Sequence, residues 1–181
     1  MMLTHNEKNK SLQFSGTIID LETIGPFADY PDDDSRQYSK LTPTIVGYIT
    51  SNELNIFCAK EIADLNELRD IALKIVPSFK KPLFAFQSKF ERGVLHHAFG
   101  LKLEIDGELN NRTREWKGYA CSDLNIPAYD DPFSNDGKLC SLAWNNGNHA
   151  QAIRHNRSCL LKERDILMKR GYRKPDDLKF F

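Results

Sequence analysis

The chain has 181 residues, 40% hydrophobic and 28% charged, and its 25 basic residues are matched by 25 acidic ones. That length supports one domain with a substantial core rather than two, and no repeat or low-complexity tract divides it. Zero formal net charge argues against a protein that coats polyanions by bulk charge, no apolar run reaches the ~20 residues of a membrane span, and the four scattered cysteines form neither a CxxC zinc pair nor a disulfide framework. The reading is a cytoplasmic protein with reduced thiols and no membrane contact.

Residues 1–13 are polar, too polar for a signal-peptide core, and are read as a disordered leader to a single domain over residues 14–181. "FSGTIIDLET" reads as a strand because Thr17, Ile18 and Ile19 favour a pleated surface. The Gly-, Pro- and Asp-rich stretch from Gly25 to Pro43 is a long surface loop. "TIVGYIT" and "LNIFCAK" flank the short polar turn "SNE" and predict a hairpin, giving three antiparallel strands. Leu65, Leu68, Ile71, Ala72 and Ile75 share one helical face, and Pro77 closes that run. "PLFAFQS" is a short buried strand, followed by a helix over "KFERGVLHHAFG" that stops at Gly100.

From residue 101 to 128 the pattern is irregular: "LKLEIDGEL" alternates like a strand, and the rest has no clean period. "AYDDPFSNDGK" is a turn-rich loop in which Asp130 and Asp131 are explained by an Asp-Asp-Pro turn. A helical stretch follows through "SLAWNNG", and a final helix runs from about Asn148 to Arg170. The order predicts an α/β fold, a mixed sheet flanked by helices.

The chemistry-bearing residues cluster in three places. Asp20 and Glu22 are two apart in a strand, so they share a face about 7 Å apart. Such a pair is otherwise a solvated strand end, but here it closes an apolar run where hard oxygen ligands could hold a divalent ion. Glu91 stands in the first turns of the helix after the buried strand. His155 lies in the last helix with Cys159 one turn on.

In chain order these stretches resemble the DEDD superfamily of 3'–5' exonucleases, over roughly Thr17 to Leu167. "DLETIG" matches that superfamily's first motif, D-x-E-T after a strand. "FQSKFE" is similar to the second, F-N-x-x-F-D, with Glu91 for aspartate. "HNRSC" is similar to the H-N-x-x-D form of the third, with Cys159 in place of the acid; the nearest acid on the same helical stripe is Glu163. The resemblance implies a ribonuclease H-like fold with a five-stranded sheet, three antiparallel strands and then parallel ones.

It further implies Mg²⁺ or Mn²⁺ at Asp20, Glu22 and Glu91, with Glu163 a weaker ligand and Cys159 marking the missing acid, and His155 as base toward the attacking water. The function implied is metal-dependent 3'–5' exonucleolytic hydrolysis of DNA or RNA by two metal ions, on single-stranded or frayed 3' ends. The alternative is a catalytically impaired member that binds nucleic acid, because a neutral thiol does not replace a carboxylate on Mg²⁺. Phe27, Tyr30, Phe86 and Trp116 could stack on bases but are read mainly as core. The span 154–174 carries eight Lys and Arg against two acids, read as a solvated face or a track for phosphates. Removing Asp20 is expected to spare stability by relieving repulsion with Glu22.

Overall fold

Thr17, Ile18 and Ile19 are fully buried, and this β-branched run opens a central strand, β2 (Thr17–Ile24). The computed structural model describes residues 1–8, 14–113 and 115–181. β2 pairs antiparallel with β3 (Thr42–Thr50), and β3 pairs antiparallel with β4 (Glu53–Cys58), so the predicted hairpin is present. On its other side β2 runs parallel to β5 (Leu83–Ala85), which pairs in parallel with the two-residue β6 (Gly107–Glu108).

The sheet has six strands rather than five. The extra one is β1 (Leu3–Lys8), drawn from the polar leader, and it pairs antiparallel with β4 to give the order β1-β4-β3-β2-β5-β6. Residues 3–8 are therefore ordered strand, and the remainder of the leader, residues 9–13, lies outside the described residues. The sequence "LTHNEK" lacks an apolar alternation, so its pairing comes from the open main-chain groups of the β4 edge rather than from its side chains. Glu7 adds a two-pronged ion pair to Arg157, at 2.7 and 3.1 Å.

The helices expected after the hairpin, after the buried strand and in the last third of the chain are present, with one more in the stretch that had no clean period. A short 3₁₀ turn over Ile62–Asp64 precedes α1 (Leu65–Ile75), which packs on β3. α2 (Ser88–Phe99) contacts β2, β3 and β5 and ends at Gly100, whose left-handed φ of 71° lets its N–H close on the His96 carbonyl. α3 (Lys117–Asp123), α4 (Gly137–Asn145) and the long α5 (His149–Arg170) complete the chain.

α5 lies against β2, β3 and β4 with α4 beside it. The helix comes so close to the sheet that a Cβ at Gly47 would sit 2.0 Å from Asn156 Oδ1. Gly47 pairs with Asp20 across the β2–β3 ladder, so this close approach sets the polar face of α5 directly over the acidic end of β2. No helix of the described residues is long and apolar enough to cross a membrane.

Candidate active site

Strand alternation sends Asp20 and Glu22 to the same face, and both are buried, at 6% and 8% exposure. The β2–β3 register shifts immediately after Glu22, an irregularity of the kind that ends pairing and re-aims a side chain where a strand opens into a loop. Glu91 comes from the first turn of α2 and His155 and Cys159 from α5, and all five line one pocket of about 270 Å³. The residues singled out in three distant stretches of sequence thus meet. Glu163 does not line that pocket; it is fully buried one helical turn beyond Cys159.

The acids are not equivalent. Asp20 is fully engaged, its Oδ2 accepting from Asn156 Nδ2 at 2.7 Å and its Oδ1 from Lys117 Nζ at 3.1 Å. Lys117 also forms a 2.5 Å ion pair with Glu163. Burial raises the Glu163 carboxyl well above the usual carboxylate range against the opposing pull of Lys117, and the Lys117 amine is raised above its ordinary value against burial, first by Asp20. Glu91 Oε2 has no hydrogen-bond partner among the described residues. Burial, then Asp20 and Glu163, push its carboxyl well above the usual range. Burial likewise raises Glu22 to about 7, with His155 acting in the other direction.

His155 is held by an acid that sequence reasoning assigned only to a turn. Its Nδ1 donates to Asp131 Oδ1 at 2.7 Å, which leaves Nε2 facing Glu22 Oε1 at 3.7 Å and Cys159 Sγ at 3.8 Å. Burial alone would lower the imidazole; Glu22 first, together with the hydrogen bond to Asp131, overcomes it and raises His155 to about 11. Asp131 does make the expected turn, accepting from the backbone of Phe133 and Asn135. It also accepts from buried Lys162 at 2.6 Å, and these partners hold its carboxyl well below the usual range against burial. The loop carrying it has four non-glycine residues at positive φ, Tyr129, Asp130, Ser134 and Asn135. Such strain persists only where surrounding bonds over-determine the backbone, as the Asp131 contacts do.

The donor set fits a hard divalent cation. Hard oxygens from Asp20, Glu22 and Glu91 outnumber the nearby ammonium, and Glu91 Oε2, from a residue lining the pocket, is buried without a hydrogen-bond partner among the described residues. Ligand atoms of Asp20, Glu22 and Cys159 lie within 4.8 Å of one another, as do those of Glu22, Cys140 and His155. Burial raises both thiols above their ordinary value, so each is a neutral neighbour rather than a thiolate ligand. Cys159 therefore lines the pocket without contributing a charge.

Two expectations about the surroundings are corrected. Only Phe86 of the four aromatics is core; Phe27, Tyr30 and Trp116 are 59%, 43% and 49% exposed, and Phe27 and Trp116 also line an adjoining cleft of about 870 Å³. The basic run of α5 and the tail is largely ion-paired, with Arg154, Lys169 and Lys174 exposed. Arg157 binds Glu7, Lys162 binds Asp131, Arg164 binds Asp165, Arg170 binds Glu115, and Arg173 binds Asp176, so most of that charge is spent inside the fold.

Sequence reasoning missed Lys117, Asn156 and the dual role of Asp131. Asn156 was visible inside "HN" but without a partner, and Lys117 lay in the stretch with no readable period. Comparison with protein-family models, curated proteins and solved structures returned no match to this chain.

Proposed function

We propose that this protein is a metal-dependent 3'–5' exonuclease acting on DNA or RNA, of the kind its DEDD-like motifs imply, working in a reducing compartment such as the cytoplasm. The observation that carries the reading is the meeting of Asp20, Glu22, Glu91 and His155 in one pocket, from segments separated by most of the chain. Asp20, Glu22 and Glu91 would hold Mg²⁺ or Mn²⁺, which when bound supplies positive charge to the phosphoryl oxygens and acidifies a coordinated water.

The chain's own groups do the rest. Asp131 fixes the tautomer and orientation of His155, so that Nε2 is the atom presented to a proton of the attacking water. The imidazole accepts that proton only when Glu22 no longer confronts it with uncompensated charge, since that carboxylate is the largest influence holding His155 protonated. Phe27 and Trp116, exposed beside the pocket, offer faces on which unpaired bases can stack. Four free, buried cysteines accord with reduced surroundings.

An end-labelled single strand decides the matter. Shortening from the 3' end with Mn²⁺ or Mg²⁺, lost in chelator and lost in Glu22→Gln, is the expected result. Shortening that persists in chelator, or none in either metal, would overturn it. The second reading, an impaired nucleic-acid binder, draws on the neutral Cys159 and on an Asp20 whose two oxygens already have partners. It predicts a retarded band of unchanged length.

A further inference from the structure

We propose that the Lys117 ammonium is a built-in cation of the acidic centre, taking the place of one of the two divalent ions, so that the site accepts a single divalent ion. This deepens the nuclease reading and rests on it.

The first observation is placement. Lys117 opens α3, its side chain is only 13% exposed, and its Nζ bridges Asp20 Oδ1 at 3.1 Å and Glu163 Oε1 at 2.5 Å while the side chain lines the pocket. The Phe86 ring lies 5.4 Å from the nitrogen and adds a cation–π contact. An amine held by two buried carboxylates from different elements stands where a bridging metal ion would.

The second observation is what the centre lacks. Cys159 brings no charge to the pocket, and Glu163, the nearest acid on that stripe, is occupied by Lys117 and withdrawn from the pocket. What remains toward the pocket is Glu22 and Glu91, and Glu91 Oε2 is buried without a partner. Lys117 already answers Asp20 and Glu163, and Asp131 is taken up by Lys162 and His155, so the oxygen ligands left open to the pocket are those of Glu22 and Glu91, a set suited to one divalent ion rather than two.

Mn²⁺ titration of the full chain, with free ion followed by electron paramagnetic resonance, tests this. Wild type should bind one ion. Lys117→Met, uncharged and of similar length, should bind a second ion or bind the first about tenfold more tightly or better, because a fixed like charge at close range is gone. Lys117→Met with Glu163→Gln, which removes the acid together with its partner, should return to one ion, and Lys117→Arg should match wild type. If Lys117→Met is unfolded without metal, refolding on adding Mn²⁺ is the expected result.

Two ions in wild type, or one ion of unchanged affinity in folded Lys117→Met, would overturn the proposal. Two ions together with 3' shortening of an oligonucleotide would sink it while the nuclease reading stands. One ion in wild type with the gain in Lys117→Met, and no shortening, would sink the nuclease reading and keep the cation assignment. No ion in any variant would end both.

Discussion

At the scale of single residues, the site spends stability on an arrangement of acids that only a cation relieves. Glu91 shows this most directly. Burial and its acidic neighbours raise its carboxyl well above 4.5, so the fold holds the proton more tightly than the unfolded chain does. The stability the protonated form contributes is intact below pH 4.5 and is lost as pH rises toward the folded value. Glu91→Gln should therefore be more stable than wild type at pH 7 in chelator by about 1–2 kcal/mol, with the gain vanishing below pH 4.5, while Mn²⁺ no longer raises its melting temperature. Equal melting curves at pH 7 would count against this.

Asp131 behaves oppositely. It neutralises Lys162, whose side chain is 2% exposed, and orients His155, so Asp131→Ala should cost about 3–5 kcal/mol in urea unfolding by stranding a buried ammonium. Asp20 belongs with Asp131 rather than with Glu91. Its bonds to Asn156 and Lys117 mean that Asp20→Ala removes two favourable partners, so the stability-neutral outcome expected from the sequence does not apply.

At the scale of elements, the segments with least sequence signal are held by polar contacts that reach across the chain. β1 is secured by the β4 ladder, by Glu7–Arg157 and by an ion pair from the N-terminal amine to Asp64. Leu3 and Met2 pack against the core from it. Deleting residues 1–8 should cost about 2–4 kcal/mol, read as a lower urea midpoint, from partial apolar burial and the reopened β4 edge.

The tail after α5 is tied down similarly. Arg173 brackets Asp176 at 2.7 and 3.1 Å and bonds Asn110, and the Asp176 backbone N–H donates to Glu108. The hydrogen bond from Arg173 holds the Asp176 carboxyl at about 2, below its ordinary 3.8. The stability it gives is fully present above pH 3.8 and lost as pH falls through 2. Asp176→Asn should thus be less stable than wild type at neutral pH, with the difference shrinking between pH 4 and pH 2.

At the scale of the whole molecule, charge is organised inward. Acids of a chain with zero net charge converge on one pocket, and the basic residues of α5 that could have tracked a polyanion, Arg157, Lys162, Arg164 and Arg170, pair internally. Binding of a single strand should accordingly depend weakly on salt, falling by about tenfold or less between 50 and 200 mM, as for roughly two phosphate contacts. A fall of a thousandfold would show that the basic residues of α5 leave their partners to bind the strand. Affinity would then come mainly from the acidic centre's cation and from stacking on Phe27 and Trp116.

What the sequence by itself determined is whatever depends on local periodicity. Period two in "TIIDLET" puts Asp20 and Glu22 on one face, period 3.6 gives α1, α2 and α5, and the spacing of His155, Cys159 and Glu163 aligns them on one stripe. Only the tertiary structure decided which groups answer those acids. Lys117 reaches Asp20 across 97 positions of chain, Asn156 across 136, and Asp131 meets His155 from a loop whose turn chemistry alone explained it. Periodicity carries no information about such pairings, because they are fixed by how helices and loops pack over the sheet. The same holds for β1, a strand by virtue of the edge it joins rather than of its own residues.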